Sequence, residues 1–319
     1  MIAIDAIKAF AILLVTQSHL KPFYPIRELA TGGLLGNCLF FFASSYIIGL
    51  GLIGRPEHFG AWYVRRIARI YVPLWTVMIV LVAFRLVTVE TVWEAISAFL
   101  FPGMYWFLPS IAVLYVPCYV LIRYGTERAL LVSAIATTLA YAVTYLAVVD
   151  FDRWSAEDHV VLKTFFYFGI MIVGIYLAKF DPPKSTRLGL RSLFGLTVAY
   201  FLFLAVLRAS GLYALQAGAN VLACLWVIAV YNTLRDSKVE AVIKKYLASP
   251  VKILSKLTLH IYLVQVPLIA SFGLEGVAFP FNILVFVLIL FGAASVLYRA
   301  TSFFSAKLPL ARRDVTSAL

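Results

Sequence analysis

The stretch Gly33–Gly54 reads GLLGNCLFFFASSYIIGLGLIG, twenty-two positions without one charged side chain. The hydrocarbon core of a bilayer is about 30 Å thick and takes roughly 20 helical residues to cross, so this run is long enough to span it. Runs of the same character at 4–22, 70–88, 104–123, 129–149, 164–179, 192–209, 212–234, 251–273 and 281–304 bring the number of expected spans to about ten. The expected fold is therefore all-α: a polytopic integral membrane helix bundle forming a single domain over residues 1–319, with no appended soluble domain. Residues 91–102 are apolar on one face but too short to span, and read as an interfacial or re-entrant piece.

Composition agrees with that reading. Of 319 residues, 63% are hydrophobic and only 13% charged, against about 45–50% apolar and about 25% charged in a soluble domain. Disorder, a disulfide scaffold and an ordinary soluble globule are excluded. Cys38, Cys118 and Cys224 lie in apolar stretches without a CxxC pair, as small buried hydrophobes do. The first run has Lys8 ahead of Ala9–Val15. Asp5, Gln17, His19 and Lys21 bracket it and no small-residue cleavage site follows, so it reads as a permanent helix rather than a signal peptide.

The formal charge of +12 first raises nucleic acid as a partner. Sorting the charges by connection answers it. With the N-terminus cytoplasmic, 21 of the 27 basic residues fall inside, Lys184, Arg187, Arg312 and Arg313 among them, leaving about +14 inside and about −2 outside. The positive-inside rule accounts for that asymmetry and places both termini in the cytoplasm. Nucleic acid drops out. The largest inside connection, residues 235–250, reads as a short amphipathic helix with Val239, Val242, Ile243 and Leu247 on one side.

Ionisable groups within spans are costly and so point to function. At about 100° per residue, Asp5, Lys8 and His19 fall within roughly 60° of one another on one face of the first helix. Lys8 and His19 are then about 16 Å apart along the axis. Arg66 and Arg69 share a face at a helix start on the cytoplasmic side, and a guanidinium offers phosphate a rigid fork of donors. Tyr105, Trp106 and Tyr115 form an aromatic group. Thr258, Tyr262 and Gln265 make an i, i+4, i+7 stripe, with His260 about 160° from Tyr262 and read as an interfacial residue. Each has a competing role: a structural hydrogen bond for His19, snorkelling for Lys8, topology charge for the arginines, interface belting for the aromatics and inter-helix contact for the stripe. No GxxxxGK[ST] loop, HxxxxD box, GDS block or HExxH pair occurs, and four scattered histidines make a metal site improbable.

Taken in order, these pieces resemble the membrane-bound acyltransferase-3 family. Ile4–Ala11 through His19 is similar to its first helix, and Phe40-Phe41-Phe42-Ala43-Ser44-Ser45-Tyr46-Ile47-Ile48 to its FFxxSG[YF]LI block. Arg66 and Arg69 with Pro73 resemble its RxxR…P segment, and Tyr105-Trp106-Phe107-Leu108 with Tyr115 its YWFL…Y region. Thr258–Gln265 is similar to a late block that often ends in histidine. The sequence departs from the pattern at three places: Lys8 where arginine is commonest, Ser45 at the glycine position, and Gln265 at the histidine.

The resemblance implies transfer of an acyl group, usually acetyl, from cytoplasmic acyl-CoA to a hydroxyl of a surface, exopolysaccharide or lipid-linked glycan at the inner (plasma) membrane. It makes His19 catalytic, as general base or as a transient acyl carrier, and gives Lys8, Arg66 and Arg69 the donor's phosphates. Asp5 then orients Lys8 or caps the helix. Ser44, Tyr105 and Tyr262 are candidate oxyanion donors, with Trp106, Tyr115 and Gln265 in support; Gln265 takes a hydrogen-bonding rather than an acid–base part. Acetyl-CoA or another acyl-CoA is a substrate, and no resident cofactor or metal is expected. The partners are that donor, the glycan acceptor and the bilayer, with a homo-oligomer left open. A flippase or exporter of polysaccharide intermediates is the alternative, and would need neither the Lys8–His19 pair nor the two arginines. A polymerase or glycosyltransferase would need outward acids, which only residues 150–158 supply.

Overall fold

The computed structural model describes residues 1–180, 189–271 and 277–307, with side chains through 303. Lys184, Arg187, Arg312, Arg313, the Lys307 side chain, the last two positions of the 251–273 run and the chain end at Leu319 lie outside the described residues. Among the described residues all regular structure is helical. In order the helices are α1 (Ile2–His19), α2 (Gly33–Gly54), α3 (Phe59–Ala83), α4 (Val92–Leu100), α5 (Phe107–Tyr124), α6 (Glu127–Val148), α7 (Val160–Phe180), α8 (Leu190–Ser210), α9 (Ala217–Leu234), α10 (Ser237–Val242), α11 (Ala248–Ser271) and α12 (Phe281–Lys307). Among the described residues ten segments are long and apolar enough to cross a membrane. The side chains of α6 show what surrounds them: Leu131, Val132, Ile135, Leu139, Val143 and Leu146 are all exposed. Water does not tolerate such a face, and lipid does.

Three expectations are revised in detail. The third span begins at Phe59, not near residue 70, so Arg66 and Arg69 sit two and three turns into α3 rather than at its start. Hydropathy misplaces this start because it counts the arginines against a span, whereas backbone hydrogen bonding continues through them. A helix of 25 residues is about 37 Å long, so α3 outruns the hydrocarbon and can carry charge on its projecting turns. It also stops early. Arg85 takes a left-handed φ of 57°, the Leu86 amide donates to the Leu81 carbonyl (2.8 Å) and the Arg85 amide to that of Val82 (3.0 Å). That is a Schellman stop with arginine where glycine is usual.

The connection after α9 is helical throughout: α10 passes through a π turn at Ile243–Leu247 straight into α11. Ile243 is buried and Val239 half-buried, as the amphipathic reading requires, but Val242 and Leu247 are exposed. The π turn rotates Leu247 off the face that the α-period assigns it; Val242 stands before that turn, at the end of α10. His260 is buried rather than interfacial. Its Nε2 lies 3.0 Å from Thr301 Oγ1, and the Thr301 hydroxyl donates to the Leu297 carbonyl.

Contacts divide the chain into two compact units, and the division falls within α1, between Ala11 and Ile12. The first comprises Met1–Ala11, Leu34–Pro56 and Leu114–Lys252. In it α6 packs along α7 and α8 along α9. Ile2 and Ala6 of α1 bury against Ile243, with Leu234 and Val239 alongside. α2 meets α7 through small residues. A Cβ added at Gly174 would stand 2.2 Å from Ser45 Oγ and 2.8 Å from the Phe42 carbonyl, and one at Gly49 2.7 Å from Ala178 Cβ. Ser45 and Gly49, like Gly174 and Ala178, are four apart, so each helix presents a small-xxx-small stripe to the other. The loop between α6 and α7, outside the spans, is organised by the fully buried Gln216 amide at the start of α9. Its Oε1 accepts from the Ser155 and Ala156 amides (2.9 and 2.8 Å), and its Nε2 donates to the carbonyls of Asp150 and Arg153 (3.1 and 3.3 Å).

The second unit comprises Ile12–Gly33, Glu57–Val113 and Ile253–Leu319. Within it α3 packs on α12. α4 is too short to span and opens with a capping box between Thr91 and Glu94. It is tied to α3 by the Trp75 indole donating to the Phe99 carbonyl and the Tyr71 hydroxyl to that of Leu100, both 2.9 Å. Pro267 inside α11 has no N–H to give the Leu263 carbonyl four residues back. The Tyr105 hydroxyl donates to that carbonyl instead, at 2.5 Å.

Candidate active site

The catalytic candidate is the last residue of α1. His19 is exposed, and its Nδ1 lies 2.7 Å from the Val15 carbonyl oxygen one turn back. A carbonyl can only accept, so Nδ1 carries the hydrogen and the neutral ring keeps its lone pair on Nε2. The end of α1 is held by its surroundings. The Gln17 amide donates to the Leu29 carbonyl (2.7 Å), the Asn282 amide to that of Phe23 (2.8 Å), and the Phe23 and Phe286 rings pack at 5.1 Å. A helix end so fixed aims an imidazole with one free nitrogen.

One turn before His19, the Thr16 hydroxyl donates to Gln265 Oε1 on α11 at 2.9 Å. Gln265 is fully buried, and its Nε2 has no hydrogen-bond partner among the described residues. The rest of the predicted stripe is committed elsewhere. Thr258 donates back to the Leu254 and Ser255 carbonyls (2.9 Å each), and the Phe107 amide, at the start of α5, donates to the Tyr262 oxygen. The Tyr262 ring packs against those of Tyr105 and Phe107, at 5.9 and 5.6 Å. Tyr105 is fully buried with its one hydroxyl proton given to Leu263, and Trp106 is half-buried with its ring edge-on to Phe107. On α3, Arg66 is half-buried and Arg69 exposed, while the neighbouring Arg65 pairs with Glu57.

Seven of the expected site residues therefore lie in the second unit: His19, Arg66, Arg69, Tyr105, Trp106, Tyr262 and Gln265. The other four belong to the first. Asp5 and Lys8 are half-buried on the opening turns of α1, and Ser44 and Tyr115 share a hydrogen bond of 3.0 Å between α2 and α5. Lys8 remains on the same unbroken helix as His19. Sequence reasoning missed Thr16, although it stands three residues before His19, and had no way to find the Val15 carbonyl. Two of the acids in residues 150–158 are engaged as well: Arg153 bonds Asp150 and Asp158, each at 2.9 Å. Among the described residues no group of His, Cys, Asp and Glu could hold a metal ion.

The fold defines a multi-pass membrane protein, helical throughout its described regular structure, whose first helix ends on the His19 imidazole. The acyltransferase-3 family model, an acyltransferase domain, matches residues 1–299, and the chain belongs to that family of acyltransferases. No curated protein and no solved structure matches it.

Proposed function

We propose that this protein is a membrane O-acyltransferase that moves an acyl group, acetyl in the simplest case, from cytoplasmic acyl-CoA to a glycan hydroxyl, with His19 as general base. The observation that carries the reading is the Nδ1 contact to the Val15 carbonyl, which leaves Nε2 as the free base. Imidazole suits the task because one ring nitrogen can take a proton while the other stays bonded to its acceptor. Nε2 accepts the proton of the acceptor hydroxyl as that oxygen attacks the thioester carbonyl. A C–O bond forms, the C–S bond breaks, and the departing thiolate recovers the proton from the imidazolium, giving ester and CoA.

CoA is polyanionic and needs cations at its entry. Arg66 and Arg69, three apart on α3, offer two guanidinium forks, and Lys8 a single ammonium on the helix that carries His19. The excess of basic residues in alternate connections supports a cytoplasmic location for both termini and for the donor's entry, with the acceptor in a bacterial-type inner membrane or beyond it. The test is His19→Ala in cells whose surface glycan is analysed for ester groups by mass spectrometry. Loss of ester at normal protein level is expected; normal acylation would refute the mechanism. CoA-dependent thermal stabilisation of the purified protein separates this reading from an exporter, which has no site for CoA.

A further inference from the structure

An acyl transfer through a tetrahedral intermediate needs a donor for the oxyanion. Of the hydroxyls that sequence suggests, Tyr105 gives its proton to Leu263, Ser44 and Tyr115 bond each other, and Tyr262 accepts from the Phe107 amide. A further donor in the second unit, bonded to the turn of α1 before His19, is the Gln265 side-chain amide. It is fully buried, its oxygen is fixed by the Thr16 hydroxyl, and its Nε2 has no partner among the described residues. A buried amide hydrogen left unmade costs about 1–3 kcal/mol, and native proteins keep few of them without a use. Its position is specific: Thr16 precedes His19 by three residues, about 4.5 Å of helix rise on nearly the same face.

Resting on the acyl-transfer reading above, we propose that Gln265 Nε2–H receives the thioester carbonyl oxygen as it becomes the oxyanion. Thr16 is its positioning residue, fixing the amide oxygen and so the orientation of the N–H side. In the balanced step, the acceptor oxygen bonds the carbonyl carbon, the π pair moves onto the carbonyl oxygen, and Gln265 stabilises that charge. The pair then returns, the carbonyl re-forms and the C–S bond breaks, with His19 handing its proton to sulfur. Because Nε2 is closed off from solvent in the resting protein, water does not compete for it, and an oxygen reaches it only when the atoms that cover it move. This also gives the departure at position 265 a physical meaning: an amide and a histidine share an N–H donor.

The experiment uses the full chain purified in detergent with acetyl-CoA as probe and water as acceptor, counting released CoA thiol. Gln265→Met keeps the length and removes the donors. It is expected to fold as wild type and to lose about 10²–10³-fold in kcat with KM for acetyl-CoA within about threefold. Gln265→His restores a donor and should recover at least roughly tenfold over the methionine variant. A Gln265→Met enzyme within about fivefold of wild-type kcat, or one whose loss is all in KM and folded yield, overturns the proposal. Should the methionine variant fail to fold, Gln265→Asn, which retracts the amide by one methylene, is read by the same kcat criterion. His19→Ala separates the two ideas. If wild type and His19→Ala release thiol equally, the acyl-transfer reading falls and this proposal with it. If only His19→Ala is inactive, the oxyanion assignment alone is lost.

Discussion

Gly174→Ala is the sharpest test of how α2 and α7 pack. The substitution adds one methyl group to a helix interior, where alanine is ordinarily favoured over glycine by about 1 kcal/mol. Here the added carbon would lie 2.2 Å from Ser45 Oγ, 2.8 Å from the Phe42 carbonyl oxygen and 3.3 Å from the Tyr46 nitrogen. The Ser45 hydroxyl can rotate, but the other two atoms are backbone and cannot. Restoring an ordinary contact of 3.4 Å to the Phe42 oxygen moves the helices apart locally by about 0.6 Å. A gap of about 0.5–1 Å forfeits a quarter to a half of each dispersion contact along the seam. Overpacking of this kind costs about 1–3 kcal/mol; with two of the three clashing atoms on the backbone the upper end applies, and subtracting the propensity gain of about 1 kcal/mol leaves a net loss of up to about 2 kcal/mol. The assay is the fraction of detergent-solubilised protein that stays monodisperse through a temperature series. Ser45→Gly in the Gly174→Ala background removes the nearest clash and should recover part of the loss, with a coupling of at least about 0.5 kcal/mol. A Gly174→Ala protein as stable as wild type, or singles and double that merely add, would refute the reasoning.

Other consequences are as direct. Arg85→Gly relieves a left-handed arginine at the end of α3 and should stabilise by about 0.5–1 kcal/mol, seen as a higher midpoint in the same assay. Gln216→Leu strands the Ser155 and Ala156 amides at a cost on the order of 3 kcal/mol, and limited proteolysis should cut the 149–159 loop faster. The Asp152 amide, with the Arg153 guanidinium second, holds the Asp150 carboxyl below its usual range. Its folded pKa is depressed, so its contribution is complete above the unfolded value of about 3.9 and is lost as pH falls through the folded one. Wild type and Asp150→Asn should therefore differ in stability at pH 6 and converge in strong acid; a constant difference would contradict this.

Most of the fold was legible because a span is a statement about composition. A run such as Gly33–Gly54 has one solution in hydrocarbon, and the structure places α2 on those residues. Charge within a helix blurred the start of α3. The π turn after α10 escaped because periodicity presumes 3.6 residues per turn. Of the site, residue types and order were legible: His19, Arg66 and Arg69 stand out against apolar neighbours. Partnership was not. Which hydroxyl is spent depends on contacts such as Tyr105 with Leu263, 158 positions apart, and the orphaned amide of Gln265 becomes visible only when every neighbour's bonds have been counted. The departure at Ser45 was legible as an oddity, while its compensation at Gly174 lies on another helix.

The bond from Tyr105 to Leu263 bears on how the chain is made. The ribosome delivers Tyr105 long before α11, so the proline-interrupted helix emerges with a carbonyl its own backbone cannot serve. In hydrocarbon such a group costs several kcal/mol, and that penalty persists until the late helix finds a tyrosine already in place. The last third of the chain is thus drawn toward a partner synthesised earlier. Loss of the Tyr105 hydroxyl should then surface first as a defect of biogenesis, with protein degraded during assembly, before any deficit in the finished molecule.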